Sequence, residues 1–284
     1  MIAITAATGQ LGQLVVEQLL TRIPAAHIVA VVRDAAKAAP LAARGVVVRT
    51  AGYDDPVALQ RAFAGVEKVL LISGTDFGRR AAQHANVIAA ARSAGAGLIV
   101  YTSLLRANAT PLNLGPEHHA TEQILQQSGV PHVILRNGWY HENYTASIPP
   151  ALAHNAFVGS AGDGRIASAA RADYAAAAVA ALTGGVQPNQ TYELAGDHAY
   201  TLAEFTAELS RQTGRSIPYV NLPGAQYAEI LLKAGLPPPL AHGLASWDVG
   251  ASQGALFDDQ RTLSQLIGRP TTPLADAIRA ALPR

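Results

Sequence analysis

Met1-Ile-Ala-Ile-Thr5, followed without a break by Ala6-Ala7-Thr8-Gly9-Gln10-Leu11-Gly12, decides the fold. The first five residues read as a short buried strand, the next seven as a turn of small residues, and the apolar run from Leu14 to Leu20 as a helix. A strand that turns through glycines into a helix makes an anion cradle. Backbone N–H groups at the helix start point outward and the helix dipole favours negative charge, so a pyrophosphate can sit there if small residues let it approach. A glycine motif carries weight only in that strand-to-helix context, which is present here.

Working outward, His27-Ile-Val-Ala-Val-Val-Arg33-Asp34 is a second strand, ending about twenty residues after the turn, where an NAD-binding domain places an acid on the ribose 2′-hydroxyl. Arg33 stands there first. A guanidinium matches a 2′-phosphate with planar, paired hydrogen bonds, so NADPH is expected over NADH, with Asp34 as the alternative acid. The pattern then repeats. Gly45–Arg49, Val69–Ser73, Gly97–Ser103 and Val130–Arg136 read as strands, with helices over Pro56–Phe63, Ala81–Ala94 and Thr121–Gln127 between them. Such alternation predicts right-handed βαβ units and a parallel sheet covered on both faces, with the cofactor across the C-terminal strand ends.

Beyond residue 140 the pattern loosens at Pro149-Pro150, Gly159, Gly162 and Gly164. Arg171–Thr183 reads as an alanine-rich helix with Asp173 as an acid of its first turn, and Thr191–Ala195 as a short strand rejoining the sheet. Helices are expected over Leu202–Gln212, Gly224–Ala234, Asp258–Ile267 and Pro273–Leu282, the first opened by a capping box from Thr201 to Glu204. The predicted class is α/β, a Rossmann-like doubly wound parallel sheet with a smaller, mostly helical C-terminal lobe. Residues 1–140 and about 165–195 form the first unit; about 141–164 and 196–284 form the substrate-side lobe.

Composition narrows the functions. The chain has 284 residues, enough for a full core, with 49% hydrophobic and 14% charged residues and a net charge of +1. That balance leaves no electrostatic footprint for nucleic acid or an anionic membrane. Cysteine is absent, which excludes disulfide and thiolate chemistry and suits a reducing compartment. There is no basic segment ahead of an apolar leader and no apolar stretch of membrane-spanning length, so a cytoplasmic protein is expected.

Five ordered motifs carry a resemblance: Ile4–Gly12, Val31-Val32-Arg33, Leu71-Ile72-Ser73-Gly74, Tyr101-Thr102-Ser103-Leu104-Leu105 and Leu135-Arg136-Asn137-Gly138-Trp139-Tyr140. Together with Ala161–Gly164 and Asp248–Ser252, they make the chain resemble the NmrA-like atypical short-chain dehydrogenases end to end, nearest their bacterial quinone oxidoreductase branch. The resemblance implies NADPH held at Ala6, Ala7, Thr8, Gly9, Gln10 and Leu11, at Arg33, at Ser73, Gly74 and Thr75, and by the loop Asn137, Gly138, Trp139, Tyr140, His141 and Glu142. A quinone is implied beside the nicotinamide.

Two positions depart from the family pattern. Its first glycine is Ala6 here, and an aspartate at the third strand end is Gly52, with Asp54 and Asp55 as neighbouring substitutes. If position 6 requires a positive φ, its Cβ costs on the order of 1 kcal/mol.

An absence decides the chemistry. Typical short-chain dehydrogenases use a Tyr-x-x-x-Lys pair after the fifth strand to protonate a basic alkoxide, and between Thr102 and Leu135 this chain has neither Tyr nor Lys. A hydroquinone anion is delocalised and accepts its proton from water or a weak donor. The expected activity is therefore direct two-electron reduction of a quinone without flavin. Triarylmethane dyes are a second delocalised acceptor class, and a non-catalytic NADP-sensing regulator is the reading from another class.

The loop Asn137–Tyr144 holds the candidate catalytic residues. Gly138 lets backbone approach closely, Trp139 and Tyr140 offer flat faces, and Asn143 or Tyr144 can bond a quinone oxygen, so Tyr140, Asn143 and Tyr144 are assigned to the acceptor. No metal site is expected, because His141-Glu142 lacks the second histidine of a zinc helix. His118-His119 reads as a solvated helix start, Arg79-Arg80 as a solvated loop, and Ser103 as a cap or ribose contact. Arg171 reads as facing the cofactor or as a helix-start charge. The expected partner is a small quinone, and a homodimer is compatible with the sequence.

Overall fold

The computed structural model describes residues 1–283. Its first half runs β1 (Ile2–Thr5), α1 (Gln10–Leu20), β2 (Ile28–Val32), α2 (Ala39–Ala42), β3 (Val47–Thr50), α3 (Pro56–Ala62), β4 (Lys68–Leu71), α4 (Arg80–Ser93), β5 (Leu98–Leu104), α5 (Gly115–Gln127) and β6 (His132–Asn137). Then follow α6 (His141–Thr145), α7 (Ile148–His154), β7 (Phe157–Gly159), α8 (Arg171–Leu182), β8 (Gln190–Leu194), α9 (Leu202–Thr213) and β9 (Tyr219–Asn221). Four helices close the chain: α10 (Gly224–Lys233), α11 (Pro238–Ser252), α12 (Thr262–Ile267) and α13 (Leu274–Ala281).

Seven strands form one parallel sheet in the order β3-β2-β1-β4-β5-β6-β8. The order reverses between β1 and β4, so the exits of both strands flank the crevice where a dinucleotide binds in this class of fold. The strands are apolar on both sides because both faces are covered. On one face Val15, Val16 and Leu19 of α1 and Ala178, Val179 and Leu182 of α8 pack on Ile4, Ala30, Leu70 and Leu135. On the other, Leu59, Phe63, Val87, Ile88 and Leu125 from α3, α4 and α5 cover Val29, Val69, Leu71 and Ile99. Each such large side chain contributes about 1.5–3 kcal/mol on burial, so packing rather than charge holds the layers.

A third core, with Trp139, Tyr144, Ile148, Phe157, Leu202, Phe205, Leu209 and Ile278, fills the smaller lobe. That lobe includes a parallel pair, β7 with β9, absent from the sequence reading. Four helices also go beyond the sequence expectation, the short α2 and α6 and the longer α7 and α11. α7 begins at the Pro149-Pro150 pair that read as an interruption, and α11 begins at Pro238-Pro239 and carries Gly243 and Gly250 inside. Proline is tolerated in a first helical turn, where its missing N–H has no partner to lose. α9 starts with the expected capping box between Thr201 and Glu204. Asp173, expected as a first-turn acid of α8, does stand there but is fully buried. It accepts from the Thr272 N–H at 2.8 Å and pairs with Arg269 at 2.7 Å, tying the C-terminal segment to the sheet unit.

Candidate active site

The β1–α1 turn has the cradle geometry. Ala6 sits at φ +48°, and its carbonyl accepts the Gly9 N–H at 2.9 Å. A Cβ on Gly12 would lie 2.4 Å from Ala6 O and 2.8 Å from Ala7 Cα, so only glycine lets α1 come this close to the strand. Gly9 precedes α1 without a side-chain cap, and no acid stands in the first turn, which leaves the first helical N–H groups for an anion. Ala7 and Leu11 are buried and anchor the turn, whereas Gly9 and Gln10 are exposed.

Arg33 follows β2, is exposed, and has no hydrogen-bond partner among the described residues. The alternative acid is already engaged: Asp34 accepts the Ala36 N–H at 2.9 Å. The two proposed substitutes for the missing aspartate are engaged as well. Asp54 bonds Arg79 at 2.8 Å and Gln83 at 3.0 Å, while Asp55 caps α3 through the Ala58 N–H at 2.9 Å.

Three further expectations fail for one reason, partners distant in sequence. Arg80 is not solvated. It is 4% exposed, donates to Gly74 O at 2.8 Å and pairs with Glu117 at 3.5 Å. His118 is not a solvated helix start either; α5 begins at Gly115, and the His118 ring is buried with Nδ1 at 2.8 Å from the Tyr101 hydroxyl. Burial, then the Arg80 charge, pushes this imidazole well below its ordinary pKa. Ser103 neither caps a helix nor lies free for a ribose, since it donates to Glu122 at 2.5 Å. Glu122 in turn holds the Arg136 guanidinium at 2.6 Å and 2.8 Å, with Glu193 adding a contact at 2.7 Å. The region that carries an acid–base pair in typical dehydrogenases is thus occupied by a structural ion-pair network.

At the exit of β6, Asn137 is 4% exposed, and neither amide atom has a hydrogen-bond partner among the described residues. A buried amide without partners costs about 1–3 kcal/mol, which a ligand's polar groups can recover. The closeness at Gly138 serves the protein itself: its N–H donates to Leu194 O at 2.7 Å, and a Cβ would lie 2.8 Å from that oxygen. Tyr140 packs edge-on against Tyr174 at 5.2 Å, with the Arg171 guanidinium 4.7 Å from its ring centre. Glu142 caps α8 by accepting the Arg171 N–H at 3.0 Å on both oxygens. His141 spends both ring nitrogens inside the protein, on Ser168 Oγ at 2.8 Å and Thr272 O at 3.0 Å. Asn143 is half-buried, and its side chain bonds nothing among the described residues.

The smaller lobe supplies the opposite wall. Trp139 meets Trp247 of α11 edge-on at 5.7 Å, and Phe77, 57% exposed, stands 6.4 Å from Trp247. Trp247 is fixed by its indole N–H on Asn113 at 2.8 Å. Tyr144 is buried and donates to Asp248 at 3.2 Å, while the Ser160 N–H donates to the other carboxylate oxygen at 2.9 Å. Burial raises the Asp248 carboxyl to about 6 against those two donors, and burial also raises the Tyr144 phenol. Trp247, Phe77 and Asp248 had no role in the sequence reading. Asp248 and its neighbours to Ser252 were visible as a motif, but nothing local assigned them a task.

A parallel sheet with an N-terminal anion cradle at β1–α1 and a free cation at the end of the second strand makes a dinucleotide-binding fold. The NAD(P)H-binding family model matches residues 6–184, more than half of the chain, and the chain belongs to that family. It is 55% identical to quinone oxidoreductase 2 of Escherichia coli over 278 residues, 98% of this chain and 97% of that one. The crystal structure of the E. coli NADPH-dependent quinone oxidoreductase complexed with NADPH superposes with a TM-score of 0.96, over 99% of each chain. A triphenylmethane reductase from Citrobacter sp., solved with NADP(H), shares 36% identity and a TM-score of 0.96, over 99% of this chain and 100% of that one.

Proposed function

We propose that the protein is an NADPH-dependent quinone oxidoreductase that passes a hydride directly to the acceptor. The observation that carries this reading is the full-length 55% identity to the E. coli quinone oxidoreductase, on a fold whose cradle and Arg33 are free for the cofactor. The residues present fit NADPH: unpaired N–H groups at α1, a cation for the 2′-phosphate and the unpartnered Asn137 amide. NADPH supplies two electrons and a proton as hydride.

The chain's own residues position and shield. Residues Ala6 to Leu11 hold the pyrophosphate through backbone, and Arg33 holds the 2′-phosphate. Ser73, Gly74 and Thr75 border the channel on one side, and Asn137 to Glu142 border it on the other. Within this second stretch Glu142 and His141 act by fixing the loop, and Asn137 and Tyr140 face the cofactor. Trp139 and Trp247 exclude water from the transfer. Asn143 donates to a quinone oxygen, and Tyr144, shared with Asp248, supports the same end. The product anion is delocalised and takes its remaining proton from solvent, so no strong general acid is required.

The reading includes a small-molecule quinone as substrate and a cytoplasmic setting. Among the described residues no helix is long and apolar enough to cross a membrane. The test is NADPH oxidation by the purified protein across a panel of simple quinones, with NADH as paired control. Quinone-dependent turnover preferring NADPH is expected. Tight NADP binding with no turnover on any quinone or triarylmethane dye contradicts the enzyme and leaves a sensor.

A further inference from the structure

β4 ends at Leu71, and each of the next three N–H groups is taken by a side chain. Ile72 N–H donates to Thr5 Oγ1 at 3.0 Å, Ser73 N–H to Thr102 Oγ1 at 3.0 Å, and Gly74 N–H to His84 Nε2 at 2.9 Å. Two carbonyls of the same segment are held likewise: the Tyr53 hydroxyl donates to Ile72 O at 2.7 Å and Arg80 Nε to Gly74 O at 2.8 Å. The strand thus leaves the sheet along a ladder of side chains, and Gly74 has both its N–H and its C=O held by side chains of α4, which fixes the two peptide groups that flank it.

The chemistry of the last rung fixes the tautomer of His84. An N–H donor at Gly74 requires a bare Nε2, so the ring proton lies on Nδ1 and is given to Thr121 Oγ1 at 3.0 Å. The Thr121 hydroxyl is itself aligned, donating to Glu117 O at 2.9 Å. The ring is fully buried, between Tyr53 at 6.0 Å and Tyr101 at 5.4 Å. Burial, reinforced by the Arg80 charge, lowers the imidazole to about 3, so it stays neutral and keeps its acceptor nitrogen at any working pH. Packing alone needs no such arrangement; an apolar side chain would fill the space without a proton-specific partner on each nitrogen.

We propose that His84 is a positioning residue for the cofactor, which with Arg80 on the carbonyl sets the Gly74 peptide so that Ser73 to Thr75 border the dinucleotide channel. The inference rests on the assignment of Ser73 to Thr75 as a cofactor edge. His84 touches no reacting atom; it acts through Gly74.

The experiment measures NADPH dissociation constants by cofactor fluorescence, with quinone kinetics at saturating NADPH, on the wild type, His84→Leu, His84→Gln and Thr121→Val. Losing the acceptor in His84→Leu is expected to weaken NADPH binding about tenfold while kcat and the quinone KM stay within about threefold. The amide oxygen of His84→Gln reaches the place of Nε2 and restores affinity to within about threefold of wild type. Thr121→Val loosens the tautomer and is expected to cost about threefold, which keeps the question decided if His84→Leu does not fold. Wild-type affinity in a folded His84→Leu, or in Thr121→Val where His84→Leu is unfolded, overturns the proposal. So does equal loss of affinity and melting temperature in the Leu and Gln variants, since packing is then the whole role. A wild type that binds no NADPH defeats the cofactor assignment itself, and the positioning role with it, and that outcome is separable from all the others.

Discussion

The two halves of the cleft are built in opposite ways. On the cofactor side, the exit of β4 is held by side-chain hydrogen bonds to every N–H from Ile72 to Gly74, and α1 is pressed onto the turn after β1 at Gly12. On the acceptor side, beyond the exit of β6, the Asn143 side chain bonds nothing among the described residues, under a wall of aromatic rings from Trp139 and Trp247. A constant ligand rewards a rigid, satisfied backbone, because preorganised contacts cost less ordering on binding. Acceptors of varying shape are met by flat apolar faces with few polar groups. The difference separates what binds from what turns over, and variants on each side should show it.

Arg33→Ala should have the largest effect, weakening NADPH by about tenfold to 150-fold with little change for NADH, because charge-assisted bonds to a 2′-phosphate are worth about 1.5–3 kcal/mol. Binding titrations with both cofactors check it, and equal losses for the two would detach Arg33 from the phosphate. Next comes Asp248→Asn on the acceptor side. The carboxyl is raised from 3.8 to about 6, so it favours the fold below its unfolded value and that contribution is lost as pH rises through about 6. Denaturation of wild type and variant at several pH values should show the variant relatively more stable above that range, by on the order of 3 kcal/mol. A difference between the two that does not change with pH would contradict the burial of the charge.

Asn137→Leu should lower kcat/KM about tenfold while leaving the protein without ligand equally or more stable, since an unpartnered amide is removed from the interior. Loss of stability instead would show the amide to be satisfied within the protein. Ala6→Gly is the smallest change and runs in the favourable direction. At φ +48° the Cβ of Ala6 is strained, and its removal should raise NADPH affinity several-fold or stability by about 1 kcal/mol. Calorimetric melting with and without NADPH distinguishes the two.

Local pattern made the cofactor half readable. The β1–α1 turn, the placement of Arg33 and the alternation of strands and helices all lie within short windows, and even the strain at Ala6 followed from the missing glycine. The acceptor half depended on contacts between distant segments. Trp247 meets Trp139 across more than a hundred residues, Asp248 accepts a hydrogen bond from the Tyr144 hydroxyl over a similar span, and nothing near either residue announces it. Arg80 and His118 misled for one cause, since a charged or polar residue reads as solvated until its buried partner is known, and Ser103, read as a cap or ribose contact, meets Glu122 from a distant helix. α11 was hidden by its own prolines and glycines, which mark breaks in a sequence but here start a helix and admit Leu112 against Gly250.

Direct hydride transfer without flavin or a Tyr–Lys pair is the central claim, and isotopic labelling tests it most directly. The purified, flavin-free protein is mixed anaerobically with a quinone and NADPH carrying deuterium on one or the other face of nicotinamide carbon 4. Slower oxidation with one labelled face, and none of that label retained in the NADP product, is the predicted result. Equal rates for both faces, or turnover that appears only when flavin is added, would contradict it.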